Sequence, residues 1–170
     1  MDNFHLYHWF WRLNGYTWRF RHLLSEYKFI CDFMLGRLAR WMRLLGLNTL
    51  YYNNPDDPSI LHKALKEGRT ILTRSKELER LENVVIIKSE NLDEQLKQIK
   101  EIIKIKTPLC RCPECNTPLS TVDKEEIRGE VPKYIYKIHN DFKRCPNCNR
   151  IYWKGTHYKE IKRKINELKS

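Results

Sequence analysis

The sequence predicts an α/β fold with a mainly parallel sheet, followed by a small zinc-binding module. Across the first part, short apolar runs alternate with longer segments whose apolar residues recur at helical spacing, which is the pattern of βαβ units. Two Cys-x-x-Cys pairs then follow Pro108. These observations divide the chain into an aromatic-rich extension over 1–27, an α/β domain over 28–107, and a zinc module with a basic C-terminal helix over 108–170.

The α/β domain begins with an apolar strand and continues as alternating helices and strands. The run KFIC ends at Asp32, and the helix after it carries apolar residues every three or four positions until a closing glycine. The strand TLYY follows, and then a helix opened by Asp56-Asp57-Pro58. The remaining elements are the strands TILT and VVII and the helix LDEQLKQIKEIIK. This alternation predicts a parallel sheet covered by helices on both faces.

Acidic residues stand where predicted strands end, which is the edge at which open α/β sheets bind ligands. Asp32 directly follows the first strand, and a carboxylate there is costly unless it is paired or binds a metal ion. Asp56 and Asp57 begin the second helix, which faces the same edge. Carboxylates gathered there would recruit Mg²⁺ or Mn²⁺, which activates water against a phosphodiester bond. Asp56 and Asp57 have an alternative role as helix caps.

Basic side chains lie close to this predicted edge. The third strand runs into Arg74, and a guanidinium group at a strand tip is suited to bind a phosphate with two hydrogen bonds. The first helix carries a row of three arginines, which are Arg37, Arg40 and Arg43. Such a row is either a solvent-exposed face or, beside a site that cleaves phosphate esters, a contact for the substrate backbone.

The chain is strongly basic, with 32 lysines and arginines against 21 acids and a net charge of +11. This balance favours polyanionic partners, with nucleic acid ahead of an anionic membrane surface. No run is long and apolar enough to span a bilayer, and the N-terminus lacks the apolar stretch of a signal peptide. We therefore expect a cytoplasmic protein that binds nucleic acid and no membrane, with its oligomeric state left open by the sequence.

Two cysteine pairs predict a structural zinc site. Cys112 and Cys115 form one Cys-x-x-Cys pair, and Cys145 and Cys148 form the other. Each pair places two thiolates on one tight turn, and two such turns complete a tetrahedral site. Disulfide pairing does not suit a cytosolic chain, and a thioredoxin-like redox motif needs only one pair. Cys110, two residues before the first pair, is either a spare thiol or a competing ligand.

The N-terminal extension allows two interpretations. Its first 27 residues contain nine aromatic residues without a clear period. Aromatic rings with arginines between them can stack on nucleic-acid bases. A hydrophobic flap on the domain, or an interaction patch, explains the same composition, so no chemistry is assigned to this segment.

Four stretches of the sequence together resemble the Mut-seven C-terminal RNase family. They are FICDFMLGRLARWMRLLGLNTLYY, DDPSILHKALKEGRTILTR, CPECNTPL and FKRCPNCNRIYWKGTH. The resemblance implies a PIN-like nuclease fold, with three α/β/α layers, and a zinc ribbon fused after it. It also implies a divalent-metal-dependent ribonuclease with catalytic acids at Asp32 and Asp57, with Asp56 beside the latter, and zinc ligands at the four paired cysteines.

The chain departs from the family pattern at the tip of the third strand. The family reads Leu-Thr-Arg-Asp where this chain has Leu-Thr-Arg followed by Ser75. A serine hydroxyl is a weaker ligand for Mg²⁺ than a carboxylate, so we expect metal affinity and turnover to fall unless Glu77 reaches the site.

Three functions remain open from the sequence. The first is an RNA-cleaving enzyme that uses Asp32, Asp57 and Glu77, weakened by Ser75. The second is a catalytically impaired RNA-binding protein that uses the ribbon and the basic helices. The third is a zinc ribbon that binds other proteins. The strand-end acids favour the enzyme, because a protein that only binds RNA has little need of carboxylates on an RNA-facing edge.

Overall fold

The computed structural model describes residues 27–54, 59–102 and 109–169, and a parallel sheet forms the centre of its first part. The strands are β1 (Lys28–Cys31), β2 (Asn48–Tyr51), β3 (Thr70–Thr73) and β4 (Val84–Ile86). They lie in the order β2-β1-β3-β4, and each neighbouring pair is parallel. The predicted parallel sheet is therefore confirmed.

Helices cover both faces of this sheet, as predicted. They are α1 (Gly36–Leu44), α2 (Ser59–Lys66) and α3 (Leu92–Ile102). Strand side chains point alternately to the two faces, so Phe29 packs with α1 and α3, while Ile30 packs with Ala64 of α2. The result is three layers, α/β/α, and the buried strands carry apolar residues on both sides because neither face meets water.

The register of the sheet fixes which residues meet at its carboxyl edge. Cys31 of β1 is opposite Leu72 of β3, so the residues that follow them, Asp32 and Thr73, are neighbours. Both strands run out at this point into short 3-10 turns, over Phe33–Leu35 and Lys76–Arg80. Asp32, which follows β1 as predicted, thus lies beside the tip of β3.

The second part of the chain is a small antiparallel module that we call the ribbon. Its strands are β5 (Ser120–Val122), β6 (Phe142–Arg144) and β7 (Ile151–Trp153), in that order. A short helix, α4 (Lys133–Ile138), lies between β5 and β6. Its thin core contains Ile127, Val131 and Phe142, and the two cysteine pairs flank the strands.

The last helix, α5 (Thr156–Lys169), leaves the ribbon and packs against α3. Ile161 and Ile165 are buried in the same core as α1 and α3, and the Nζ atom of Lys164 lies 2.5 Å from a carboxylate oxygen of Asp93. The sequence groups this helix with the zinc module, whereas its packing places it on the α/β domain. Among the described residues, no helix combines the length and apolarity that crossing a membrane requires.

Candidate active-site edge and metal centre

Asp32 is held in one orientation at the carboxyl edge of the sheet. Its Oδ1 atom accepts a hydrogen bond of 2.9 Å from the backbone N–H of Met34, which makes Asp32 the cap of the 3-10 turn. Its Oδ2 atom accepts from the hydroxyl of Thr73 at 2.5 Å and from the backbone N–H of Arg74 at 3.3 Å. The carboxylate is therefore anchored by donors that carry no charge, and it keeps lone pairs that can bind a cation.

Thr73 connects Asp32 to Ser75 at the tip of the third strand. The Thr73 side chain is fully buried, and its hydroxyl oxygen accepts a hydrogen bond of 2.9 Å from the backbone N–H of Ser75. One hydroxyl group thus orients both Asp32 and the loop that carries Ser75. The sequence alone does not point to Thr73, because a threonine at the end of a strand has no motif of its own.

The other predicted residues of this edge differ in their placement. Glu77 is exposed in the 3-10 turn that follows β3. Arg74 donates to Glu90 at 2.5 Å, and Glu90 is 80% exposed. Asp56 and Asp57 lie outside the described residues, as does nearly all of the aromatic extension. The described part of the chain therefore contributes one anchored carboxylate to this edge, with an arginine beside it.

Two of the three arginines in the predicted row are exposed to solvent, as expected for one face of a helix. Arg37 and Arg40 are exposed on α1, where Arg40 lies 2.9 Å from a carboxylate oxygen of Glu114. Arg43 is only 7% exposed, so the expectation that it shares this exposed face is wrong. Burial lowers the pKa of Arg43, but a guanidinium starts so high that the group stays charged.

Arg43 instead joins the sheet to the ribbon. Its Nε atom donates to the carbonyl oxygen of Thr49 at 2.8 Å, and its Nη1 atom donates to the carbonyl oxygens of Pro113 and Glu114 at 3.0 and 2.7 Å. The side chain of Asn116 completes the contact, since its Oδ1 atom accepts from the backbone N–H of Thr49 at 2.9 Å. The N–H of Thr49 on β2 is thus paired by the first cysteine turn, and its carbonyl oxygen is paired by Arg43 of α1.

The four paired cysteines form a metal site of the expected shape. The sulfur atoms of Cys112, Cys115, Cys145 and Cys148 all lie within 4.8 Å of one another, and two of the distances are 3.4 and 3.7 Å. A tetrahedral zinc ion with bonds of about 2.3 Å requires sulfur separations of about 3.8 Å. Within the described residues this is the one group of three or more such side chains that could hold a metal ion.

The electrostatics of the cluster also fit a cation. Partial burial disfavours a thiolate at Cys115, but hydrogen bonds with Thr117, Asn147 and Cys145 lower its pKa to about 6. A backbone hydrogen bond from Arg150 favours a thiolate at Cys148, yet burial and the neighbouring thiols raise its pKa to about 12. Neighbouring thiolates repel one another, and a metal ion such as zinc, which these four cysteines could bind, would relieve that repulsion.

Two matching turns present the sulfur atoms. In the first, Cys112 accepts at its carbonyl oxygen from the N–H of Asn116 at 2.9 Å, and in the second, Cys145 accepts from the N–H of Asn149 at 2.9 Å. Asn116 and Asn149 have φ values of 66° and 59°, a conformation that asparagine tolerates better than most residues. The repeated pattern Cys-Pro-x-Cys-Asn is the sequence signal for both turns.

A tyrosine supports the cluster from outside. The hydroxyl of Tyr152 lies 3.1 Å from the sulfur of Cys112, and burial raises the pKa of Tyr152, so it remains a protonated donor. Such hydrogen bonds orient metal-binding thiolates. The two remaining cysteines stand apart: Cys31 is fully buried in the sheet, and Cys110 is partly exposed beside Gly46.

Comparison with known proteins gives one match. The sequence model of a family described as the Mut7-C RNAse domain matches residues 27–165, which is most of the chain. No curated protein and no solved structure matches it.

Proposed function

The chain belongs to the Mut7-C RNAse domain family, and from that membership we propose that it is a divalent-metal-dependent ribonuclease whose active site is the carboxyl edge of the parallel sheet. RNA is the substrate that the family implies. The observation that supports this position of the active site is Asp32, a partly exposed carboxylate fixed at the end of β1 beside the tip of β3. Ligands bind at this edge in open α/β sheets.

In this proposal, Asp32 binds Mg²⁺ or Mn²⁺ together with Asp57, with Asp56 beside it. When bound, such a cation supplies Lewis-acid stabilisation of the phosphate and a water of lowered pKa. Thr73 keeps the Asp32 carboxylate from rotating, because its hydroxyl donates to Oδ2. A fixed carboxylate binds a cation without first losing side-chain freedom.

Arginines bind the phosphate backbone in this proposal. The contact between Arg74 and Glu90 lies at the surface, and exposed ion pairs contribute little to stability, so a phosphate group can replace Glu90. Arg37 and Arg40 are exposed on the helix that follows Asp32 and extend the basic surface. Arg43 is excluded from this role by its burial.

Ser75 sets the expected strength of catalysis. A hydroxyl adds no negative charge to the edge, so the cation relies on fewer carboxylates and binds less tightly. We therefore propose a weakened enzyme, with Glu77 as the nearest acid along the chain. Ser75 also favours the second candidate function, which is RNA binding without cleavage. Zinc in the four-cysteine site has a structural role, and its reduced thiols suit the cytoplasm.

The test is cleavage of a mixed panel of labelled RNAs over a range of Mn²⁺ and Mg²⁺ concentrations. Asp32→Asn should lower the rate by about 100-fold or more, because it removes a metal ligand. Ser75→Asp should lower the metal concentration needed for half-maximal rate by roughly 10- to 100-fold, because it adds one. Asp123→Asn, which changes an exposed acid in the ribbon, is the matched control and should leave both values unchanged.

Other outcomes assign other functions. If the wild type binds RNA without cutting it and Ser75→Asp restores cleavage, the protein is an RNA-binding relative of the nucleases. If the wild type cuts RNA and Asp32→Asn cuts equally well, the carboxyl edge is not the active site.

A further inference from the structure

Two exposed apolar side chains stand directly beside Asp32. Phe33 is 47% exposed and Met34 is 40% exposed, although the following residue of the same turn, Leu35, is buried in the core. Successive residues of a 3-10 turn point about 120° apart, so burying one of three forces the other two outward. That geometry accounts for their positions. It does not account for the choice of a phenyl ring and a thioether at a site surrounded by water.

The turn that presents them is fixed from three directions. Its first N–H groups are held by Asp32, whose Oδ1 atom accepts from Met34 and whose carbonyl oxygen accepts from Leu35 at 3.0 Å. The hydroxyl of Tyr51 donates to the carbonyl oxygen of Phe33 at 3.0 Å. The ring of Tyr51 also lies so close to Gly36 that a Cβ atom there would be 3.0 Å from the tyrosine oxygen. Phe33 thus projects from a rigid backbone.

We infer that Phe33, with Met34 beside it, is a stacking surface for an unpaired RNA base next to the phosphate that the cation on Asp32 would hold. This inference rests on the proposed function, and it names the substrate class as single-stranded RNA. A nucleotide whose phosphate lies at the sheet edge must place its base close by, and an exposed ring on the residue after the metal-binding acid offers a planar apolar surface there.

Single-stranded RNA fits this surface and a duplex does not. Bases in a helix are already stacked and paired, whereas single-stranded bases can turn outward onto aromatic side chains. Stacking on a ring does not distinguish one base from another, since every base has a planar face. The surrounding charge suits the backbone of the same strand. Arg37 follows the turn closely in the chain, the backbone N–H of Arg74 donates to Asp32 at 3.3 Å, and the chain has a net charge of +11.

The experiment measures the affinity of the zinc-loaded full-length chain for three labelled ligands, with Ca²⁺ in place of Mg²⁺ or Mn²⁺ so that a cation can occupy Asp32 while the ligands stay intact. They are a short single-stranded RNA, a blunt duplex of the same sequence, and a strand of equal charge with tetrahydrofuran spacers in place of nucleosides. Phe33→Ala should weaken binding of the single strand by roughly 5- to 150-fold. Binding of the duplex and of the spacer strand should change less than about twofold, because neither offers a free base.

Two further variants complete the design. Phe33→Trp should retain the affinity for single-stranded RNA, because an indole ring also stacks on bases. Tyr134→Ala removes another exposed ring, which is 68% exposed on α4 in the ribbon, and should leave binding unchanged. Thermal unfolding of Phe33→Ala should match the wild type, since little packing is lost at an exposed position.

Several results would overturn the inference. It fails if Phe33→Ala binds single-stranded RNA as the wild type does, or if it loses affinity for the spacer strand equally. A fall in melting temperature without a change in RNA affinity would show that the ring packs against protein instead. Cleavage assays separate this failure from that of the proposed function: RNA cleavage without dependence on Phe33 refutes the stacking surface alone, whereas Phe33-dependent binding without cleavage by any variant refutes the nuclease alone.

Discussion

Thr73 holds the Asp32 carboxylate in place through a single buried hydroxyl group. That hydroxyl donates to Asp32 and accepts from the backbone N–H of Ser75, so it uses both of its hydrogen-bonding functions. Buried hydroxyl groups with two fixed partners limit the motion of everything attached to them. At the scale of the residue, the orientation of Asp32 in the proposed metal site therefore depends on the uncharged side chain of Thr73.

We predict that Thr73→Val weakens both the site and the fold. The substitution leaves a carboxylate oxygen and the N–H of Ser75 each without one partner, which costs about 1–3 kcal/mol of the free energy of unfolding. RNA cleavage should fall by roughly 10- to 100-fold, as for other residues that orient metal ligands. Urea unfolding and the Mn²⁺ dependence of cleavage measure the two effects.

Thr73→Ser and Thr49→Val are the controls for this prediction. Serine keeps the hydroxyl group and should retain most of the activity. Thr49 is also fully buried in the sheet, but its hydroxyl has only a long contact, 3.3 Å, with a backbone carbonyl. If Thr49→Val and Thr73→Val lower cleavage equally, the loss reflects general destabilisation and Thr73 does not position Asp32.

At the residue level, the sequence predicts what depends on neighbours close in the chain. It places Asp32 at the end of a strand because an apolar run directly precedes it, whereas the contact of Asp32 with Thr73, 41 residues later, has no local pattern. Arg43 was misplaced because its neighbours are distant: residues three apart on a helix rotate by about 60° per step, so Arg43 lies about 120° around α1 from Arg37. It meets the ribbon about 70 residues later in the chain, as the separations of 70 and 71 show, and no local pattern encodes such a contact.

At the scale of elements, the first cysteine turn closes the edge of the parallel sheet. An edge strand exposes unpaired N–H and C=O groups, which other chains can pair with. On β2, Thr49 pairs its N–H with Asn116 and its carbonyl oxygen with Arg43, and Asn116 also donates to Asn48 at 2.8 Å. The first cysteine turn thereby covers the edge strand β2, although β2 supplies none of the four cysteines of the metal site.

We predict that Asn116→Gly destabilises the chain while Asn149→Gly does not. Glycine adopts the positive φ of both turns readily, so the pair of substitutions separates side-chain hydrogen bonds from backbone conformation. Loss of the Asn116 side chain leaves the N–H of Thr49 unpaired and should lower the free energy of unfolding by about 1–3 kcal/mol. Asn149 is exposed, so its replacement should change that value by less than about 0.5 kcal/mol. Equal effects of the two changes, measured by urea unfolding, would refute the role of Asn116.

The elements themselves were predictable to different degrees. The α/β pattern was correct because strands buried on both faces appear as short apolar runs, whereas amphipathic helices impose a period of 3.6 residues on the sequence. The cysteine turns were located because metal binding fixes their spacing. Helix α4 and the ribbon strands β5, β6 and β7 were not predicted, because the helix spans 6 residues and each strand spans 3, which is too short for a period to show.

At the scale of the whole molecule, the ribbon and the sheet share contacts at two places. The first cysteine turn pairs with β2, and α5 returns from the ribbon to bury Ile161 and Ile165 against the core of the sheet. A module connected in this way at both ends cannot unfold without exposing part of its neighbour. Sequence division into separate domains could not show this, because each contact joins residues that are far apart in the chain.

We predict that removal of zinc destabilises the parallel sheet as well as the ribbon. Without metal, the first turn loses the bonds that hold Asn116 and the carbonyl groups that Arg43 contacts, so several kcal/mol of edge contacts are lost. The melting temperature should fall by roughly 10 °C or more on treatment with a chelator, and Zn²⁺ should restore it.

Thiol labelling measures the same loss of structure at each cysteine. In the zinc-loaded chain only Cys110 should react quickly, since four thiols bind metal and burial raises the pKa of Cys31. After chelation, the four paired cysteines should also react quickly with the labelling reagent. Cys31 should react only when the sheet unfolds. If chelation frees those four thiols but leaves the melting of the sheet unchanged, the ribbon is an independent unit and its contact with β2 contributes nothing to stability.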